Sequence, residues 1–541
     1  MQRSVRSINF LGGSRSIDLS PFDVVVVGGG ALGCAMSWEA VSRGLRVALL
    51  EQGDFGSATS ANSLNIIHGG LRYLQKLDVR RARASSGERA VILRIAPHIV
   101  SPLECVIPTS RSFKRGKLAF AVGLGINRLI MAGQNRQLPV SHRLRSGGLL
   151  SKAELKNKVP GLSMQGVSGA AYWEDGCMSS GERLALAFAQ SANESGAVLL
   201  GRVAAEGITS RNNRITGVLA KDLVDGDNLE LSARVVLDCR GVGNSASPGS
   251  RTDWGPGVEF VKAVNVVIRD QGIQCAVGAP VRDENGDPVG GRLIFARPGN
   301  RETIVGTWYF ESDASDNCLL PQQMDEVLEA INSAFPGWQV TPDEIVGIQV
   351  GFLPRKKTSG SEKLPIERPM IIEATSLNGV AGLWHVQTEK WTTVRALAER
   401  VVTMVSSKEG LQVAPSATHE TPLCGGEELT LTDAQSKLFS SLSDSVSSRL
   451  LAHYGGRVPK VLNYAVRDPG LAVSLDWAPS ILKAEIPYVL DNEMVRTIDD
   501  LKNRLLPNSI YRSDAATAIN FAEIVGEFAD PASQEKSPNS V

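Results

Sequence analysis

The chain has no surplus of charge: 57 basic residues stand against 57 acidic ones among 541. A nucleic-acid binder carries a basic excess as its electrostatic footprint, so that class is set aside. Clustered metal ligands are missing too. The six histidines lie far apart, and the seven cysteines (Cys34, Cys105, Cys177, Cys239, Cys275, Cys318, Cys424) are odd in number and never spaced CxxC. Neither a zinc motif nor a disulfide framework can be built from them, which fits free thiols in a reducing compartment. No run reaches the roughly 18–20 apolar residues of a membrane span, so any membrane contact is expected to be peripheral. The first twenty residues hold Arg3, Arg6 and Arg15 against Asp18 but no continuous apolar stretch. A secretory signal is therefore not expected; a disordered leader is predicted, with a short organelle-targeting peptide as the alternative. Single cores stop growing near about 250–300 residues, so two or three domains are expected.

What the chain does have is concentrated between Asp23 and Glu51, which read DVVVVGGGALGCAMSWEAVSRGLRVALLE. The unbroken apolar run Val24 to Val27 suits a central parallel strand covered on both faces. A glycine turn, a helix, a second strand and a closing acid follow. A dinucleotide needs this order, because its pyrophosphate must meet free backbone N–H groups at a helix N-terminus. Gly28 makes the tight turn, Gly30 lets the backbone approach the diphosphate, and Gly33 lets the helix pack closely on the sheet. Glu51 follows at about the interval at which an acid accepts a ribose hydroxyl.

The rest of the chain divides by pattern. Residues 81–164 look helical and amphipathic in parts, and 166–203 read strand, turn, helix, strand. Residues 255–351 alternate apolar and polar, as in Glu259 to Arg269, which suits an antiparallel sheet with one face on a cavity. The predicted class is α/β, α+β overall. A Rossmann-like dinucleotide-binding domain (20–80, 165–250 and 378–405) carries an antiparallel-sheet substrate domain (81–164 and 251–377). A linker at 406–428, rich in Pro and Gly, leads to a C-terminal helical domain at 429–530 and a disordered tail at 531–541.

A family resemblance becomes specific at Ala58-Thr59-Ser60 and Ile67-His68-Gly69-Gly70-Leu71-Arg72-Tyr73-Leu74. It continues through Ala96-Pro97-His98, Arg183-Leu184, Arg292 to Ala296, Val305-Gly306-Thr307, Lys390 to Arg395, Tyr454 to Arg457 and Glu493 to Thr497. With the glycine turn, these motifs resemble the FAD-dependent glycerol-3-phosphate dehydrogenase family, within the glycine/D-amino-acid oxidase group of flavoproteins. The resemblance implies FAD, since the glycine spacing alone also allows NAD. It implies oxidation of sn-glycerol 3-phosphate to dihydroxyacetone phosphate, with electrons passed to a quinone. It implies a phosphate pocket lined by Arg72, Arg368 and Lys390, with His68 and Tyr73 beside the flavin and the substrate hydroxyls. The cofactor contacts it implies are Gly28, Gly30, Gly33, Glu51, Thr59, Ser60, His68, Gly69, Gly241 and Thr392, with no metal. A peripheral contact through 111–131 on the cytoplasmic face of the inner membrane is a further implication, and a homodimer is among the assemblies it allows.

The chain also departs from the family's pattern. Gly-x-Arg-Pro-Leu becomes Gly351-Phe352-Leu353-Pro354-Arg355, so an arginine expected at the substrate is Leu353; Arg355 and Arg297 are the nearby candidates to replace it. The Gly-Gly before the lysine is Thr388-Glu389. The Asn-Ala-Thr-Gly-like strand end is Asp238-Cys239-Arg240-Gly241, the acids before Arg183 are Ser180-Gly181, and Lys262-Ala263-Val264-Asn265 keeps a lysine while losing a histidine. Two alternatives to the family reaction therefore stay open: an FAD oxidoreductase for another hydroxyl- or amine-bearing substrate, and a flavin-binding protein without turnover.

Overall fold

The computed structural model describes residues 5–75, 77–110, 116–241, 258–311, 318–355, 368–506 and 526. Its first sheet is built on the valine run. Phe22–Val27 pairs in parallel with Val47–Glu51 on one side and with Asn228–Asp238 on the other. Val198–Gly201 and Leu383–Gln387 extend the parallel order outward. An antiparallel hairpin, Val203–Arg211 and Arg214–Asp222, joins the first half of Asn228–Asp238. Helix Ala31–Ser42 is buried along almost its whole length, because helices Gly181–Glu194 and Val394–Glu409 pack against it as well as the sheet. Its approach to the strand is as close as backbone allows. A Cβ on Gly33 would sit 1.8 Å from the Gly28 carbonyl oxygen, so no other residue fits there.

The second sheet has nine strands, in the order Ile345–Arg355, Glu259–Arg269, Glu302–Phe310, Pro288–Pro298, Ala276–Arg282, Val100–Ser110, Val167–Met178, Ile66–Ile67, with Gly148–Leu150 on the side. Alternation along its strands separates two faces. Val264 and Val266 enter a core that includes Trp308 and helix residues Val327 and Ile331, while Ala263 and Asn265 face a cavity. Val100–Ser110 was not expected as a strand. Pro102 and Pro108 interrupt its alternation, and only the pairing with Val167–Met178 reveals it.

The helices Asp433–Ser441, Asp444–Tyr454, Val458–Arg467, Glu485–Asn492 and Ile498–Leu505 form a third core. The leader is not disordered. Val5–Phe10 and Gly13–Asp18 form a hairpin that buries Ile8 and Phe10, and the Arg496 Nε donates to the Asn9 carbonyl at 2.8 Å. Residues 411–432 hold no helix or strand, yet they lie on helix Ala31–Ser42: Thr418 donates to Glu39 at 2.6 Å, and Leu423 is fully buried. The predicted tail at 531–541 lies outside the described residues.

One ion pair joins the helical unit to the loop after Val47–Glu51. Arg504 donates from both terminal nitrogens to Asp54, each at 2.6 Å, and Asn503 adds a bond at 3.2 Å. Both charged side chains are buried. Removing one partner strands a charge in the interior, at a cost of about 3–5 kcal/mol. Arg504→Met should therefore lower the thermal unfolding midpoint, whereas Asp54→Leu/Arg504→Met, which removes both charges, should lose much less. Equal losses in the two proteins would show that the pair is not what holds this contact.

Candidate active site

The carboxyl ends of Phe22–Val27, Val47–Glu51, Asn228–Asp238 and Leu383–Gln387 open on one cavity of about 1560 Å³, whose other wall is the second sheet. Open α/β sheets bind ligands at these strand ends, and this volume exceeds the roughly 300–1,000 Å³ of ordinary small-molecule pockets. At one end Gly28, Gly30, Glu51, Thr59, Ser60, Gly241 and Thr392 line the wall. Gly28 has φ +99°, and a Cβ there would lie 2.7 Å from the Arg240 Cα. The first turn of Ala31–Ser42 carries no acid, and Gly30 offers no capping side chain, so its N–H groups present positive potential to the cavity. Ser60 accepts from Ala31 N–H at 3.0 Å, and Trp391 Nε1 donates to the Ser60 carbonyl at 3.2 Å. Glu51 is anchored by the Gly29 and Gly53 N–H groups, each at 2.6 Å, while burial pushes its carboxyl above the usual range. A glycine cradle, a helix N-terminus and an acid at the next strand end are a donor set that fits a dinucleotide.

The other end is built around a buried carboxylate. Ile66–Ile67 pairs with Val167–Met178 so that Ile67 lies opposite Gly176, which brings His68 beside Asp175. Asp175 Oδ2 lies 3.0 Å from His68 Nδ1 and accepts from Trp173 Nε1 at 3.0 Å. Its other oxygen accepts from Gly69 N–H at 2.7 Å and from Arg89 at 2.6 Å. Burial alone would raise the Asp175 pKa, but the His68 bond and the Arg89 charge outweigh it and hold the carboxyl well below the usual range. An ionised Asp175 can only accept, so His68 Nδ1 is the donor; whenever the ring is neutral its Nε2 is then the acceptor, and the side chain is 48% exposed. Gly69 is required by the same contact, since a Cβ there would lie 2.2 Å from an Arg89 nitrogen.

Short helix Leu71–Gln75 then carries Arg72 and Tyr73 into the cavity wall. Lys390, in the loop after Leu383–Gln387, stands 4.5 Å over the Tyr73 ring and 3.3 Å from the Glu389 carboxylate, whose side chain is only 7% exposed. Burial first and Arg72 second pull the Lys390 pKa down to about 8. Thus His68, Arg72, Tyr73 and Lys390 share one cavity with the glycine turn. Gly33 and Gly69 lie beneath its wall. Arg368 does not join them: it is exposed and absent from the cavity lining, just after residues 356–367, which lie outside the described residues.

The departures find physical explanations. Asp238 and Arg240 compensate each other, with Arg240 Nε 2.9 Å from Asp238 and His385 Nδ1 at 2.8 Å on its other oxygen. Lys262 is turned away, donating to the Cys318 carbonyl at 2.7 Å, while Asn265 lines the cavity. Leu353 is in the wall, and neither Arg355 nor Arg297 is; Arg355 pairs with Glu259 at 3.4 Å. Sequence reasoning missed Asp175, whose one signal was an acid pair, Glu174-Asp175, inside a strand of otherwise apolar pattern. It also missed Arg81, which lines the cavity from the start of helix Val79–Ile95.

Residues 23–404 match the family model described as FAD dependent oxidoreductase, and 416–531 match the C-terminal domain of alpha-glycerophosphate oxidase. An aerobic glycerol-3-phosphate dehydrogenase from Staphylococcus epidermidis is 28% identical over 491 residues, covering 88% of this chain and 84% of its own. A glycerol-3-phosphate dehydrogenase from Bacillus halodurans, solved with FAD, superposes with a TM-score of 0.69 at 24% identity, covering 95% of this chain and 94% of its own. An L-alpha-glycerophosphate oxidase from Mycoplasma pneumoniae, also with FAD bound, gives 0.51 at 13% identity over 75% of this chain and 99% of its own.

The depressed Asp175 pKa sets a pH dependence. Stability from a carboxyl whose folded pKa is lowered is present above its unfolded value, near about 3.9, and is lost as pH falls through the folded one. Asp175→Asn should lower the unfolding midpoint at neutral pH by leaving Arg89 unpaired, and should remove part of the acid destabilisation below about pH 4. Parallel pH curves for wild type and variant would refute this account of the charge.

Proposed function

The chain belongs to the FAD dependent oxidoreductase family, and on that premise we propose that it oxidises sn-glycerol 3-phosphate to dihydroxyacetone phosphate and passes the electrons to a membrane quinone. The cofactor is FAD, and we assign its contacts to Gly28, Gly30, Glu51, Thr59, Ser60, His68, Gly241 and Thr392, with Gly33 and Gly69 shaping the wall from behind it. Bound there, the flavin supplies a two-electron acceptor for hydride. The observation that carries the proposal is the single cavity running from the glycine turn to a carboxylate-backed imidazole among cations. In this reading His68 Nε2 takes the proton of the carbinol hydroxyl while Asp175 holds the ring in the accepting tautomer. Arg72 and Lys390 hold the phosphate, and Tyr73 braces Lys390 by a cation–π contact. The glycerol-3-phosphate dehydrogenases named above support this choice of substrate.

Leu353 and the Glu389 carboxylate in the same wall favour a second reading, another hydroxyl- or amine-bearing substrate. Bleaching of the bound flavin by a panel of polyol phosphates and amines, with and without quinone, decides between them. A flavin that none of these reduces points to binding without turnover.

Lys390 gives the phosphate reading a pH signature. The substrate becomes a dianion above about pH 6, and the lysine loses its charge above about 8. The kcat/KM for glycerol 3-phosphate, which reports free-enzyme pKa values, should therefore rise through the first and fall through the second. Lys390→Arg should abolish the alkaline fall, and Lys390→Met should reduce kcat/KM roughly 10- to 150-fold. An unchanged alkaline limb in Lys390→Arg would assign that limb elsewhere.

We also propose a peripheral membrane contact through 111–131. Helix Lys117–Ile130 forms despite Gly123 and Gly125, and it turns Leu118, Val122 and Leu129 outward at 74%, 58% and 77% exposure. These recur along one face, beside Lys117 and Arg128; the cations at 111–115 lie outside the described residues. Among the described residues no helix is long and apolar enough to cross a membrane. An apolar stripe edged by cations suits the interface, where each cation adds about 1 kcal/mol on an anionic bilayer. The protein should co-sediment with anionic liposomes at low salt and much less at high salt. Lys114→Glu/Arg115→Glu/Lys117→Glu and, separately, Leu118→Glu/Leu129→Glu should stay in solution, and pelleting by both variants would exclude this surface.

A further inference from the structure

Arg81 lines the same cavity but has no part in the reaction as set out above. Its guanidinium lies 4.3 Å over the ring of Tyr73, the ring that also carries Lys390 at 4.5 Å. One terminal nitrogen stands 3.5 Å from the Tyr73 hydroxyl. The position is fixed from below: Asp78 caps the helix by accepting from Arg81 N–H at 3.1 Å, and its other oxygen lies 3.9 Å from Arg81 Nε. One tyrosine ring thus gathers two cations, and Arg72, on the same short helix as that tyrosine, is close enough to Lys390 to lower its affinity for a proton.

Like charges gathered in a partly dehydrated corner repel one another, and carboxylates stand at the edge of the group. Glu389 lies 3.3 Å from Lys390, and Asp78 sits at the helix cap on the far side of Arg81. A ligand carrying two negative charges is attracted by three cations that share one cavity wall. The guanidinium fork matches two phosphate oxygens at once, which a lysine cannot do, and its stacking on Tyr73 fixes the plane of the fork. Leu353, elsewhere in the same wall, has no donor to offer.

We propose that Arg81 is a specificity-determining residue that contacts the substrate's phosphate together with Arg72 and Lys390. This rests on the phosphorylated-polyol reading, and two independent measurements on the FAD-loaded protein keep the two apart. In the first, Arg81→Gln raises the KM for glycerol 3-phosphate roughly 10- to 150-fold, the loss of one charge-assisted contact, with kcat little changed. Arg81→Lys restores part of the loss, which a merely structural arginine would not require. In the second, calorimetric titration with inorganic phosphate shows binding to wild type that weakens by a similar factor in Arg81→Gln. If Arg81→Gln matches wild type in both measurements, the proposal is overturned while the choice of substrate stands. If glycerol 3-phosphate fails to reduce the wild-type flavin, the substrate reading falls and the phosphate titration alone judges Arg81. Should Arg81→Gln lose FAD, Arg81→Lys and Arg81→Met serve in its place, and a wild type that binds no phosphate overturns the proposal outright.

Discussion

The Asp175 carboxylate is the constraint on which the substrate end of the molecule depends. Taking an anion out of water costs several kcal/mol unless donors converge on it, and four do so here from three separate elements. The Gly69 N–H and His68 fix the loop, Arg89 fixes helix Val79–Ile95, and Trp173 fixes the strand that carries the acid. Once these are tied, the four residues after Gly69 have little freedom. Arg72 and Tyr73 are delivered to the cavity by the short helix that follows, and Arg81 by the first turn of the next. The charge that holds the floor together is also the charge that sets the tautomer of the imidazole above it.

The two ends of the cavity were not equally legible in the sequence, for a physical reason. The FAD end is specified by backbone: a glycine that cannot carry a Cβ, a helix N-terminus and an acid at a strand end all leave local marks. The parallel sheet and a dinucleotide could therefore be read from residues 23–51, although the choice of FAD over NAD came from the resemblance. The substrate end is specified by side chains that meet through strand register. His68 and Asp175 are 107 residues apart, and nothing local in either segment announces the other. Arg368 is a different case: it matches the family in one dimension but is not among the residues that line the cavity. The hairpin at Val5–Phe10 and Gly13–Asp18 was missed because two buried apolar residues, Ile8 and Phe10, are too few to show a period.

Departures from the family's pattern are balanced differently at the two ends. At the cofactor end an added acid, Asp238, comes with an added base, Arg240, in direct contact, so the strand end keeps its shape and a nearly neutral field. At the substrate end Glu389 is paired with Lys390, but Leu353 removes a positive group without any replacement within its own strand. Arg355, two residues on, is held by Glu259 and cannot turn inward without breaking that pair. At this end the cations that do line the cavity come instead from the loop after Leu383–Gln387, which carries Lys390, and from the segment that Asp175 holds in place, which carries Arg72 and Arg81. In the proposed reaction, substrate preference would therefore rest on the 66–89 segment and Lys390 more than on the Ile345–Arg355 strand.

The loop between Glu51 and Ser60 is tied in turn to the C-terminal unit. Asp54 follows Glu51 by three residues, and its only charged hydrogen-bond partner among the described residues is Arg504, which also lies 3.7 Å from Glu493. Glu493 in turn accepts from Arg183 at 2.8 Å, at the start of the helix that packs under Ser60. The C-terminal helices therefore hold the 51–60 loop near both of its ends, directly at Asp54 and, through Arg183, beneath Ser60. A loop that carries Glu51 at one end and Ser60 at the other can hold a dinucleotide only if its ends keep their spacing. The helical unit fixes that spacing through buried ion pairs, which tolerate little displacement, although none of its helices lines the cavity.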